Sequence, residues 1–203
     1  QLKHYLQALF RESEDLPVDL REALGLSYKE EFPQKAEVLL EDLITAEDAD
    51  RFLEITGGFL TRYRDGEVEY EMFEPSEALA GGEVLSLEEK FLAGEGQNLT
   101  PARFTADPEK HEVISSQVRE VLRRAAQLLG VEGYARIDAF VRVYEQEQRA
   151  ETIIVEVNSL PGMTPATAIF HQAALNGWKP YEFIDRILEF GRQREERRKA
   201  LVG

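Results

Sequence analysis

Cysteine is absent from the 203 residues, and the chain has only one tryptophan, two methionines and three histidines. Without cysteine there can be no disulfide, thiolate zinc site or cysteine nucleophile, which fits a reducing, cytoplasmic compartment. His4, His111 and His171 are too dispersed for metal-ligand spacing and read as structural or surface residues. Basic residues are also scarce, 24 against 39 acidic, for a formal net charge of -15. A phosphate backbone would be repelled and no Lys/Arg-rich patch offsets this, so nucleic acid is not an expected partner. No apolar run reaches the roughly 18 residues that a membrane helix needs, and no charged-then-apolar leader is visible. A hydrophobic fraction of 43% suffices for a real core. The first residue is Gln1, not Met, and the chain reads as the distal fragment of something longer.

Residues 1–35 read as a helical lead-in, with Leu2, Tyr5, Leu6, Leu9 and Phe10 at helical spacing and a second short piece at Leu20–Leu26. Ala36 to Ile44 is a short apolar run, expected to be a buried strand leading into a loop. Arg51–Arg64 and Glu67–Glu74 alternate around Asp65-Gly66, a strong hairpin signal, and Gly57-Gly58 suggests a bulge. Val84–Phe91 is a further strand candidate, and Ala93–Pro108 is long for a structureless connection. From Glu109 to Leu129 the residues Val113, Ile114, Val118, Val121, Leu122, Ala125, Leu128 and Leu129 predict one helical stripe, with Gly130 at its C-terminal cap. Ala166–Asn176, followed by Gly177, and a segment starting at Pro180 predict two more helices, the last ending in a solvated basic tail, Arg192–Lys199. Hairpins with flanking helices indicate an α+β domain over 36–203, an antiparallel sheet with helices on one side.

Gly133 to Thr167 carries the chemistry. Two alternating runs, separated by a charged turn, predict a hairpin. A turn centred near Glu147 makes the numbers of facing residues sum to about 294. Asp138 then faces Glu156, Arg136 faces Asn158, and all four share one sheet face. Two carboxylates, an amide and a guanidinium among Ile137, Phe140, Ile153, Ile154 and Val155 are costly unless compensated, and a divalent cation would compensate them. Oxygen ligands of this kind suit Mg²⁺ or Mn²⁺ carrying phosphate oxygens better than zinc. The following SLPGMTPAT adds the backbone donors of Gly162 and the hydroxyls of Ser159, Thr164 and Thr167. Lys90 alone reads as a surface lysine; beside a metal-phosphate cluster it becomes a candidate for neutralising a phosphoryl group. Packing between the last two helices accounts for Trp178 and Tyr181 without a ligand.

GYARIDAF, IIVEVNSLPGMTPAT, the helix after them and FIDRILEF strongly resemble the C-terminal half of D-alanine:D-alanine ligases of the ATP-grasp superfamily. The resemblance extends through LSLEEKFLAGEGQNLTPA and, more loosely, to AEVLLEDLI, covering Glu37 to Phe190. It implies an ATP-grasp C-terminal half that uses ATP and Mg²⁺ (or Mn²⁺) on small-molecule substrates, D-alanine or similar, through an acyl phosphate, in peptidoglycan biosynthesis. No membrane partner is implied, and a homodimer is left open. By the same resemblance Asp138, Glu156 and Asn158 are metal ligands, while Arg136 and the N–H of Gly162 stabilise an oxyanion. Thr167 holds the acceptor's carboxylate. Lys90, Glu41, Ile44 and Val155 contact ATP, with Asp48 or Glu47 on the ribose. The family has tyrosine after the lysine where this chain has Phe91, a position that varies in relatives joining D-alanine to D-lactate. A ligase with another acceptor and a nucleotide-binding module without ligase activity are therefore the competing readings.

Overall fold

Asp65 and Gly66 both adopt positive φ, 50° and 89°, as the tight turn of a two-residue hairpin requires. They join β1 (Arg51–Arg64) to β2 (Glu67–Met72), as the alternation predicts. The computed structural model describes residues 41–79, 98–164 and 167–202. After β2 come β3 (Ser76–Ala78), β4 (Asn98–Leu99), α1 (Pro108–Leu128), β5 (Tyr134–Tyr144), β6 (Arg149–Asn158), α2 (Ala168–Leu175) and α3 (Pro180–Val202). The chain divides into two compact units between Leu43 and Ile44, and all these elements belong to the second. The helical lead-in, residues 36–40, the Val84–Phe91 strand, Lys90 and Phe91 lie outside the described residues. The described end of the Ala36–Ile44 segment is not in a strand, and Leu43 is 83% exposed.

The sheet is antiparallel throughout, in the order β4-β3-β1-β5-β6, with β2 continuing along the edge of β1 that β3 begins. Gly57-Gly58 is not a bulge: β1 pairs with β5 without a break from Arg51↔Val143 to Leu60↔Tyr134. Close packing explains the pair instead. A Cβ on Gly57 would lie 2.4 Å from Leu122 Cδ1 of α1, and one on Gly58 would lie 2.5 Å from Gln172 Oε1 of α2. Adjacent strand residues face opposite ways, so the helices cover both faces of the sheet, not one. Leu53, Ile55, Phe59, Ile137, Ala139 and Val141 meet Ile114, Val118 and Leu122 of α1 on the first face. Leu60 and Phe73 meet Ile169, Ala173 and Phe183 on the second.

Asp107 caps α1, accepting from the N–H of Glu109 at 3.0 Å, and Pro108 occupies the first turn. Gly130 follows the C-cap at φ 61°, as expected. The buried stripe is narrower than the apolar pattern implied, because Val113, Leu128 and Leu129 are exposed. The loop before α1 is not idle either: Ala102 and Phe104 are fully buried in the α1 core. The basic tail of α3 is exposed, as expected, and one of its residues reaches back to the β1–β2 turn. Arg197 lies 4.2 Å over the Tyr63 ring and donates to the Gly66 carbonyl at 3.1 Å. Burial and the neighbouring Glu132 push the Tyr63 phenol above its ordinary pKa.

Among the described residues the edge of β1 between β3 and β2 lacks a strand partner, and Gln172 fills the gap. Its Oε1 accepts from the Gly58 N–H at 2.8 Å, and its Nε2 donates to the Thr56 carbonyl at 2.7 Å and to Ser76 Oγ at 2.9 Å. Gln172→Leu keeps the bulk but strands two buried backbone groups. The expected loss is about 2–5 kcal/mol, read as a lower urea midpoint at unchanged m-value.

Candidate functional site

The β5–β6 hairpin brings the four polar residues together in the expected register, Arg136↔Asn158 and Asp138↔Glu156. Its charged turn closes with Gln148 at φ 48°. Beyond the cluster the register slips by one: Ala139 pairs with Ile154 and Phe140 with Ile153, leaving Val155 as the extra residue of a β-bulge. The bulge was not anticipated, and neither was the exposure of the apolar run, in which Val155 is 53% exposed and no β6 residue is fully buried. The run reads as buried because it is continuously apolar; among the described residues it forms the sheet edge.

The Arg136 guanidinium grips Asp138 with two bonds, Nε to Oδ1 at 3.1 Å and Nη2 to Oδ2 at 3.0 Å. Asn158 Nδ2 donates to Asp138 Oδ2 at 3.2 Å and to Glu156 Oε1 at 3.1 Å, so one amide bridges both carboxylates. Formal charge sums to one excess negative on a part-buried face. Across from Asp138, Thr56 is 7% exposed, and its hydroxyl has no protein partner among the described residues.

The donor set fits a hard cation. It contains only oxygen donors once the amide turns its carbonyl inward, and a metal bound by few carboxylates, with phosphate and water completing the shell, is the usual state of nucleotide-bound Mg²⁺. Among the described residues no three His, Cys, Asp or Glu side chains form a metal-holding group, so these residues alone do not build a closed cage.

Gly162 and Thr167 lie together: a Cβ on Gly162 would be 3.4 Å from Thr167 Cγ2. Thr167 starts α2, but its hydroxyl donates to the Thr164 carbonyl at 2.8 Å instead of capping the helix. Pairing places α2 near the cluster, since Gly58, which it covers, is the neighbour of Arg136 across the strand pair.

At the other end of β5 the segment from Ile44 is tied to the sheet. Asp50 N–H donates to the Val143 carbonyl at 2.9 Å, and Tyr144 Oη donates to Asp48 Oδ1 at 3.4 Å. Glu47 pairs with Arg142 at 2.7 Å. Ile44 is half-buried and Glu41 exposed. Arg142 and Gln172 were missed as site-bearing residues. The first was signalled by its sharing a strand face with Arg136 and Asp138; nothing local signalled the second.

Residues 18–189 match the family model described as D-ala D-ala ligase C-terminus. The D-alanine--D-alanine ligase of Leptospira interrogans is 31% identical over 175 residues, covering 86% of this chain and 44% of the relative. That of Pelodictyon phaeoclathratiforme is 28% identical over 178 residues, covering 85% and 45%. Among solved structures, D-alanyl-alanine synthetase A from Vibrio cholerae aligns at TM-score 0.47 and 22% identity, over 71% of this chain and 40% of that one. The chain thus spans less than half the length of these relatives. Because the matched region takes in most of the chain, including the hairpin and the loop after it, this protein belongs to the D-alanine–D-alanine ligase C-terminal family.

Proposed function

We propose that the chain supplies the metal-binding and intermediate-binding half of an ATP-dependent carboxylate–amine ligase of the D-alanine–D-alanine type. The observation that carries this is the convergence of Arg136, Asp138, Glu156 and Asn158 on one sheet face. Asp138, Glu156 and Asn158 would hold Mg²⁺ or Mn²⁺, which neutralises charge on the phosphates in transfer. In the first step a substrate carboxylate oxygen attacks the γ-phosphorus of ATP and ADP departs, leaving an acyl phosphate. In the second step the amine of the other substrate attacks the acyl carbon, a tetrahedral oxyanion forms, and phosphate leaves as the amine loses its proton. Arg136 and the N–H of Gly162 are assigned to that oxyanion. Thr167 and the uncapped first turn of α2 suit a carboxylate, the acceptor's. Glu41, Ile44, Asp48 and Val155 are assigned to ATP, as is Lys90, with Phe91 next to it on the first substrate.

The test incubates the full-length ligase that carries this half, rather than the half alone, with ATP, Mg²⁺ and D-alanine, and measures ADP, phosphate and dipeptide. Equal amounts of all three, lost on omission of Mg²⁺ or D-alanine, are expected. ATP binding with no product would replace this reading with a nucleotide-binding module. A depsipeptide formed only when D-lactate is added would reassign the acceptor.

A further inference from the structure

Side chains alternate along β5, so the face that carries Arg136 and Asp138 continues through Phe140 to Arg142. Asp138 and Arg142 are four residues apart, about 13 Å along an extended strand. That is comparable to the span of a nucleotide from its terminal phosphate to its base. Between them Phe140, half-buried, stacks on Phe52 with ring centroids 5.2 Å apart, and Ile153 lies opposite it. A charged cluster, a flat apolar stretch and a polar end therefore follow one another on one face.

Arg142 forms that polar end. Its side chain is only 9% exposed, and each guanidinium nitrogen is engaged: Nε donates to the Thr45 carbonyl at 2.7 Å, Nη2 pairs with Glu47 Oε1 at 2.7 Å, and Nη1 pairs with Glu151 Oε2 at 3.3 Å. Burying a guanidinium is unfavourable unless all its donors are met. Glu151 is its neighbour on β6, but the other two partners belong to the 44–50 segment, which is not in regular structure. Glu47 there holds φ at 52°, a conformation unfavourable for a residue with a Cβ. The residue in the strained conformation is thus one that Arg142 pins.

We propose that Arg142 is a positioning residue for the purine base: it fixes the 44–48 backbone relative to β5, so that the segment's backbone groups can pair with the base edge while the triphosphate reaches Asp138 and Glu156. This rests on the nucleotide reading of the site. Arg142 touches no substrate atom and acts through Thr45 and Glu47. Its loss therefore weakens recognition of the base and leaves recognition of the phosphates intact.

The test titrates the chain and its Arg142→Gln and Arg142→Lys variants with the Mg²⁺ complexes of ATP, GTP and tripolyphosphate by calorimetry, with thermal melts to confirm folding. Arg142→Gln is expected to weaken ATP about tenfold and to bring ATP and GTP affinities together, with tripolyphosphate unchanged. Arg142→Lys, which keeps the charge but not the fork, falls between. Should Arg142→Gln not fold, Glu151→Gln removes one half-exposed partner, and the ATP preference should fall about twofold. Unchanged ATP affinity and selectivity in folded variants overturn the proposal, as does an equal loss for ATP and tripolyphosphate. A wild-type chain that binds tripolyphosphate without preferring ATP also overturns it. If the wild type binds neither, the nucleotide reading itself fails and takes this one with it.

Discussion

Replacing Glu156 by glutamine is expected to weaken Mg²⁺-dependent ATP binding by about a hundredfold or more, while the melting temperature moves by no more than about 2 °C. The two effects separate because Glu156 is exposed and is held among the described residues by an amide contact, from Asn158 Nδ2 at 3.1 Å. Surface changes of this kind stay within about 0.5 kcal/mol. The charge balance, in contrast, changes sign of purpose: Asp138 is already matched by Arg136, so Glu156 is the carboxylate that makes the cluster net negative. Its neutral isostere leaves no excess charge to hold a dication. Calorimetry with and without Mg²⁺ reads the binding, and an unchanged Mg²⁺ dependence would remove Glu156 from the metal site. Asp138→Asn is a poorer probe, because Asp138 is only 16% exposed and the amide would leave Arg136 one of its two acceptors and no opposite charge.

Gly58→Val should cost the fold most, about 3–5 kcal/mol. A side chain there meets Gln172 Oε1 at 2.5 Å and Ile169 Cγ1 at 2.9 Å, before any branching is added. Gln172 cannot step aside without giving up its bonds to Gly58, Thr56 and Ser76. Overpacking and the loss of buried hydrogen bonds therefore arrive together. Urea unfolding measures the loss. The effects of Gly58→Ala and Gln172→Ala should be less than additive, since both act on one contact. Full additivity would mean that the amide is not what requires glycine at this position. Because Gly58 lies opposite Arg136, the milder Gly58→Ala variant also tests how firmly the sheet holds the site.

Much of the site is legible in the amino-acid sequence. A hairpin register follows from where a short turn sits, and one charged turn near Glu147 was enough to pair Arg136 with Asn158 and Asp138 with Glu156. The Asp65-Gly66 turn and the C-terminal end of α1 at Gly130 were equally local. The bulge at Val155 was not, because an apolar run looks the same with or without an extra residue. Gly57-Gly58 was misread for a similar reason: glycine serves a bulge and a close approach alike, and only the positions of Leu122 and Gln172 tell which.

What the linear chain settles, then, is whatever depends on neighbours a few residues apart: the hairpins, the helix ends, and the gathering of two carboxylates, an amide and a guanidinium on one strand face. What the folded chain adds depends on partners about a hundred residues away, where local preference is silent. Gln172 completes the edge of β1 across a separation of 114 residues, and Arg142 reaches the Thr45 carbonyl across 97. Packing decides both, since a buried amide or guanidinium is tolerated only where every donor finds an acceptor. The same packing sets α1 and α2 on opposite faces of the sheet, leaving α2 on the side where Arg136 and Asp138 stand.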